Sequence, residues 1–312
     1  MITLPAVLLP AAVAPAAGAL WLSRTAWPQR APRAGIAAWL ACSLSVVMSV
    51  VLAGLVAAIP CVRLCADPAM VRACLSMLHA QYASPAGAVT GVAGGLLAVA
   101  VAGRVAWAYG SVLATARRRR SAHDQVLAVI ARPGPAADVR IIDGDRPAVY
   151  CLPGRRRIVL TTGALTRLDE GELAAVLAHE RAHLSGRHHI VLTLAVALQR
   201  AFPAAGFFGT AARQISYLVE IAADDAAVRR APRLTVASAL LAVATAGVPA
   251  GALGAGGSAA AQRIQRLISP PPQPSRAAQV VMYAALTATA APAAAVLAWA
   301  FAVYARCLIA HF

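Results

Sequence analysis

Lysine is missing from this 312-residue chain, and acids are scarce. Asp and Glu number 12 against 28 basic residues, so every basic residue is arginine. Charged residues make up 13% of the chain and hydrophobic ones 60%. A soluble domain carries about a quarter charged and about half apolar residues. This balance excludes an ordinary water-soluble globule and points to a chain embedded in a membrane over part of its length. The formal charge of +16 would suit nucleic acid or an anionic surface. Aromatic residues do not interleave with the arginines as single-strand binding requires, and the arginines flank apolar runs, where they set topology. No nucleic-acid partner is expected. No Cys-x-x-Cys occurs either, which leaves a cysteine-type zinc site without support.

Charge is also missing from long stretches. Four apolar runs, at about 3–22, 35–59, 87–110 and 277–305, reach the roughly 20 residues that a spanning helix needs. Only Arg104 interrupts the third, where it is expected to snorkel or to face the bundle interior. The first lacks the positive start of a secretory signal and is long for one, so it reads as an uncleaved helix. Arg24, Arg30 and Arg33 follow the first run, and Arg117–Arg120 follow the third. Basic loops stay cytoplasmic. This places the chain in the cell membrane as a multi-pass protein, with Arg117 to Arg276 in the cytoplasm. The loop from Pro60 to Pro85 falls outside, with Cys61, Cys65 and Cys74. An oxidising milieu permits a disulfide among these, with Cys307 as a further partner; unpaired thiols fit equally well.

The expected organisation is three spans in 1–116, a soluble domain in 117–250, a Gly/Pro-rich linker in 251–276, and the fourth span. Within the soluble domain, Ala122–Ala131 reads as helix. Short β-type runs follow at Val139–Ile142, Ala148–Cys151 and Arg157–Thr161, divided by Asp143-Gly144-Asp145 and Pro153-Gly154. Helices are predicted over Thr166–Leu184, with Asp169 and Glu170 in the first turns where the dipole favours acid, and over Arg213–Arg229 and Leu234–Thr245. The stretch Gly251–Ser275 reads as a tether, with one amphipathic piece at Gln262–Ile268 and a stiff spacer at Pro270–Pro272. The run Arg156–Thr161 is a candidate edge strand for an extended substrate, or equally an ordinary strand of the sheet.

Chemistry concentrates in His179-Glu180-Arg181-Ala182-His183. On a helix, positions i and i+4 share a face, so both imidazoles can reach one tetrahedral zinc ion. Zinc lowers the pKa of water toward about 7, which makes hydrolysis feasible at neutral pH. Glu180 stands beside the pair as the general base. A third protein ligand is needed, and the best candidate is Glu220. Asp224, one turn on, is placed to accept a hydrogen bond from a ligand histidine and fix its ring. Acids are too few in this chain for such a cluster on an apolar helix to be idle. His188 and His189 lie past Gly186 and read as solvated or capping residues. Arg181 and Arg187 read as surface. Arg229, Arg230 and Tyr217 are candidates for stabilising the oxyanion.

Leu173–His183, preceded by Ile158–Leu165 and followed by Glu220-Ile-Ala-Ala-Asp224, resembles the gluzincin membrane metallopeptidases. Two related groups share this layout: the M48 group, with HtpX-like quality-control proteases, and the M56 group of BlaR1-like sensor-transducers. Three helices, a cytoplasmic protease domain and one further helix is the M56 layout. The Arg263–Ile268 stretch before the prolines also looks M56-like. The resemblance implies a mostly α membrane protein with an α+β zincin-like metalloprotease domain between spans three and four. It implies one zinc ion on His179, His183 and Glu220, with Glu180 as base and Asp224 in support. It further implies a zinc endopeptidase that cleaves a protein or peptide substrate at the cytoplasmic face, as a signalling regulator or, alternatively, in quality control. BlaR1-like sensors continue into an outer penicillin-binding domain, whereas this sequence stops at Phe312, so β-lactam sensing is not expected.

Two other classes compete. A non-catalytic transducer retaining the zinc fold would have no need of Glu180. A transporter would want ionisable residues in several spans, and only Arg104 qualifies.

Overall fold

Long uncharged runs cannot be buried within a chain this size, so they form long helices with an apolar surface left over. The computed structural model describes residues 20–58, 68–245 and 255–272, with positions 18, 280 and 284. The first expected span lies largely outside these residues, and the fourth almost wholly, as do Cys61, Cys65 and Cys307. After a single turn, α1 (Trp27–Arg30), comes α2 (Pro32–Ala58). Next are α3 (Pro68–Ala83), a helix within the loop expected between the second and third spans, and α4 (Pro85–Ile130). By length and composition, α2 and α4 are candidate membrane spans.

Two observations on α4 bear on that reading. Val89, Leu96, Val99 and Trp107 expose 70, 67, 70 and 79% of their surface, a stripe that suits lipid rather than water. The helix also meets α2 through small residues: a Cβ on Gly54 would come within 2.5 Å of the Gly94 carbonyl oxygen. Such close approach is how apolar helices pack without a hydrophobic drive between them. Gln81 and Tyr82 donate to the carbonyls of Ala57 and Ala58, at 2.7 and 3.1 Å, and so satisfy the last turn of α2. Arg104 donates to the carbonyl of Ala201. The helix predicted at Ala122–Ala131 is the end of α4, which runs unbroken through Arg117–Arg120. Arginine is a good helix former, so a charge cluster alone does not interrupt a helix.

The chain then forms β1 (Arg132–Pro133), β2 (Val139–Ile142), β3 (Val149–Leu152) and β4 (Arg157–Thr161). Their order is β1-β2-β4-β3, with β2 and β4 parallel and the other pairs antiparallel. The two-residue β1 was not foreseen. The order decides between the two readings of the run at Arg156–Thr161: it is an ordinary interior strand, and the edges are β1 and β3. Ile158, Val159 and Leu160 are fully buried, as an unbroken apolar run demands when both faces are covered.

Helix α5 (Thr162–Arg167) follows, then α6 (Glu170–Ser185). The single helix predicted from Thr166 breaks at Leu168. Asp169 there caps α6 and exchanges hydrogen bonds with Glu172 in a capping box. An unforeseen helix, α7 (His188–Ala201), forms a hairpin with α8 (Gly206–Ala227). Leu198 and Phe208 of this hairpin pack with Val47 of α2 and with Val101 and Val105 of α4. Ile215 and Leu218 pack against Ile36 and Trp39. The hairpin thus lies along the two apolar helices. Finally, α9 (Arg233–Thr245) and α10 (Ala255–Ile268) pack on the domain. The stretch read as a tether is therefore largely helical, and Leu267 is buried in the core beneath α6 and α9.

Candidate metal centre and active site

Helix α6 is fixed at its start by the capping box and along its length by Ala175, Leu177 and Leu184 in the core. That leaves His179 and His183 on the side facing α8, with Glu180 beside them turned toward Cys151 on β3. His179 Nε2 and His183 Nε2 are 3.1 Å apart. Glu220 on α8 brings Oε2 to 3.6 Å from His179 Nε2 and Oε1 to 3.6 Å from His183 Nε2. One ligand atom from each residue falls within 4.8 Å of the others. A tetrahedral zinc ion with ligands at about 2.0–2.1 Å separates its donors by roughly 3.3 Å. The three donors therefore fit such an ion in both spacing and chemistry.

The rings are held from behind. His179 Nδ1 is 3.0 Å from Asp224 Oδ1, and His183 Nδ1 is 3.1 Å from His188 Nδ1. His188 is thus part of the cluster, which corrects its reading as a solvated or capping residue. Gly186 makes this approach feasible, since a Cβ there would lie 2.4 Å from His188 Nε2. Arg187 supplies the reversal between α6 and α7 with a left-handed φ of 50°.

One functional side chain went unnoticed in the sequence. Arg263 on α10 reaches across and grips both acids of α8. Its Nη1 is 2.9 Å from Glu220 Oε2, and its Nε and Nη2 each lie 2.7 Å from Asp224 oxygens. Beside it, Arg266 pairs with Asp225 at 2.6 Å. The available signal was two arginines three apart in an amphipathic piece of a chain with few acids to pair with them.

The electrostatics follow from this packing. Burial works against a charged His179, but Asp224 and Glu220 outweigh it and hold its pKa up to about 9. Burial pushes His183 down to about 4. Asp224 and Glu220 are lowered despite burial. The Arg263 guanidinium and His179 lie against Asp224, and His179 and Arg263 against Glu220. Burial raises Glu180, whose carboxylate faces the thiol and backbone N–H of Cys151 on β3. Burial and that carboxylate together push the Cys151 thiol up to about 12, so it stays neutral.

A recess of about 170 Å³ opens beside these groups. Val149, Val176, Val236, Leu240 and Val243 give it apolar walls, with His179, Glu180 and Arg263 at the polar end. The oxyanion candidates do not line it. Arg229 and Arg230 border a different cavity, behind α6, and Tyr217 borders a third, near Gln29. Arg181 is half exposed and forms a two-point ion pair with Asp138.

The family model described as Peptidase family M48 matches residues 113–280, more than half of the chain. A Protease HtpX homolog of Acidiphilium cryptum (strain JF-5) is 43% identical over 65 residues, 20% of this chain and 22% of that protein. A Protease HtpX homolog 2 of Methanosarcina acetivorans is 33% identical over 96 residues, 29% of this chain and 32% of that protein. The chain thus aligns with less than a third of the length of either relative. No solved structure matches.

Proposed function

We propose that this chain, which belongs to peptidase family M48, is a membrane zinc endopeptidase whose catalytic groups are carried by α6, α8 and α10. M48 peptidases are zinc metalloproteases. The observation that carries the reading is the convergence of His179, His183 and Glu220 on one point, with Glu180 beside it at the mouth of an apolar recess. His179, His183 and Glu220 would hold the ion. When bound, zinc supplies Lewis-acid polarisation of the scissile carbonyl and makes water acidic enough to attack near neutral pH.

The remaining work belongs to the chain's own residues. Asp224 accepts from His179 Nδ1 and fixes that ring, and His188 does the same for His183. Glu180 takes the proton of the attacking water on its carboxylate and returns it to the leaving amine. Burial raises its pKa toward the working pH, which suits both halves of that transfer. The recess accepts an apolar side chain. A protein or peptide substrate is the natural occupant, and it lies in extended form along the edge strand β3. Proline at Val149 should then raise KM about tenfold or more and leave the fold intact, because an edge strand tolerates a lost outward N–H. Unchanged KM would exclude strand pairing.

The matched relatives favour an HtpX-like membrane protease over a dedicated signalling enzyme. The spans 3–22 and 277–305, the cytoplasmic placing of the domain and the M56-like layout remain part of this proposal.

The test is zinc titration of the metal-free full chain, followed by a cleavage assay. At pH 7.5 His179 carries a proton and His183 does not, given pKa values of about 9 and about 4. Binding should release about one proton per ion, and affinity should fall about tenfold per pH unit below 9. Calorimetry in buffers of different ionisation enthalpy counts that proton. Absence of both zinc uptake and chelator-sensitive cleavage would overturn the reading.

A further inference from the structure

The side of α6 turned away from the metal site borders a second cavity, of about 710 Å³. Its walls are strongly basic: Arg33, Arg156, Arg181, Arg229 and Arg230, with His188. These come from separate places, namely the first turn of α2, the β3–β4 turn, α6 and the end of α8. Charges that only set topology need to sit near the bilayer; they have no need to converge on one hollow. The acid in its wall, Asp138, has both oxygens taken by Arg181, at 2.8 and 2.9 Å. Arg229 donates to the carbonyl of Asp225 at 3.0 Å. Arg33, Arg156 and Arg230 form no ion pair among the described residues. Arg156 is moreover held at a left-handed φ of 51°, a strained conformation for a residue with a side chain. Like charges brought together in this way are offset when an anion sits among them.

The depth of the cavity says which anion. Arg33 lies in the first turn of α2, where the apolar run begins. His188 opens α7, whose far end reaches Val47, Val101 and Val105 through Leu198. His189 next to it is within electrostatic reach of Arg120, just beyond the apolar half of α4. On the reading that α2 and α4 cross the membrane, all three mark the level where the spans leave the hydrocarbon, and the cavity opens there.

We propose that this cavity binds the phosphate headgroup of an anionic phospholipid. Arginine forks match phosphate oxygens two at a time, and basic pockets beside spans are suited to anionic headgroups. The occupied cavity lies directly behind the helix that carries His179 and His183, so lipid charge bears on the geometry of the site.

The experiment is native mass spectrometry of the full chain in mild detergent, supplied with dioleoylphosphatidylglycerol or dioleoylphosphatidylcholine. The wild type should retain one phosphatidylglycerol at least about tenfold more readily than phosphatidylcholine. Arg33→Gln with Arg230→Gln should remove most or all of that preference, since each basic group near a membrane surface is worth about 1 kcal/mol, and two together are worth roughly thirtyfold. Arg117→Gln with Arg118→Gln, which removes equal charge outside the cavity, should not. Arg230→Lys should keep the preference, and thermal melting identifies any variant that misfolds. Equal retention of the two lipids, or equal loss in both double variants, overturns the proposal. Displacement of phosphatidylglycerol by millimolar glycerol 3-phosphate would assign the cavity to a soluble phosphate and overturn the lipid assignment. Recovery of the chain from the soluble fraction with neither lipid would overturn the membrane reading itself.

Discussion

Glu180→Gln should leave zinc bound and lower peptide cleavage by about a hundredfold or more, the usual yield of a positioned acid–base group. Glutamine keeps the shape of the side chain and its hydrogen bonding to Cys151, so α6 should pack as before. It cannot take a proton. The donors named for the ion are elsewhere, on His179, His183 and Glu220, so metal content measured by mass spectrometry should match wild type. Cleavage of a labelled peptide checks the other half. A variant that bound zinc and kept full cellular function without cleaving would mean that the zinc fold serves as a scaffold for signalling, and hydrolysis would be incidental. A variant that lost its zinc would place Glu180 among the ligands.

Arg263→Gln should have the second-largest effect. Asp224 is 2% exposed, and the Arg263 fork is its principal cationic partner. Removing one member of a buried pair strands the other charge, at a cost of about 3–5 kcal/mol. The same change frees Glu220 and weakens the hold on His179, so zinc affinity should fall about 10–100-fold, as when a supporting group of a metal ligand is lost. Arg263→Lys should recover only part of each, because a point charge cannot span Asp224 and Glu220 together. Thermal melting and chelator competition report the two quantities separately. Loss of affinity without loss of stability would mean that Arg263 acts on the ligands alone and contributes nothing to folding. No change in either would show that α10 is dispensable to the site.

What the sequence made legible was local. The runs Val139–Ile142 and Arg157–Thr161 emerged as strands with those limits, because turn residues bound them on both sides. The apolar run 35–59 lies within α2 as far as Ala58, and the run 87–110 lies within α4, since long uncharged runs admit few other structures. The spacing of His179 and His183 on α6 follows from helical periodicity alone. What stayed hidden depends on partners far along the chain. The contact between Arg263 and Asp224 joins residues 39 apart, and without it Gly251–Ser275 looks like a spacer. Strand order places β4 between β2 and β3, and nothing in the alternation of a four-residue strand announces its neighbours. Helix α7 went unread because an apolar stretch of 14 residues is equally at home in a loop-rich core or beside a span. His188 looked idle for the same reason: only the turn at Gly186 and Arg187 folds it back onto His183.

Helix α4 is 46 residues long, or about 69 Å at 1.5 Å per residue, more than twice the hydrocarbon depth of roughly 30 Å. The surplus projects as a stiff mast, and the sheet begins two residues past its tip. If α4 crosses the membrane and the site cuts peptides, as proposed, the α7–α8 hairpin moored to the same shaft would hold the cutting edge at a fixed height. Such an enzyme would reach peptide bonds held close above the lipid and spare identical sequences carried farther out, so distance from the membrane would become a criterion of choice alongside the residues being cut.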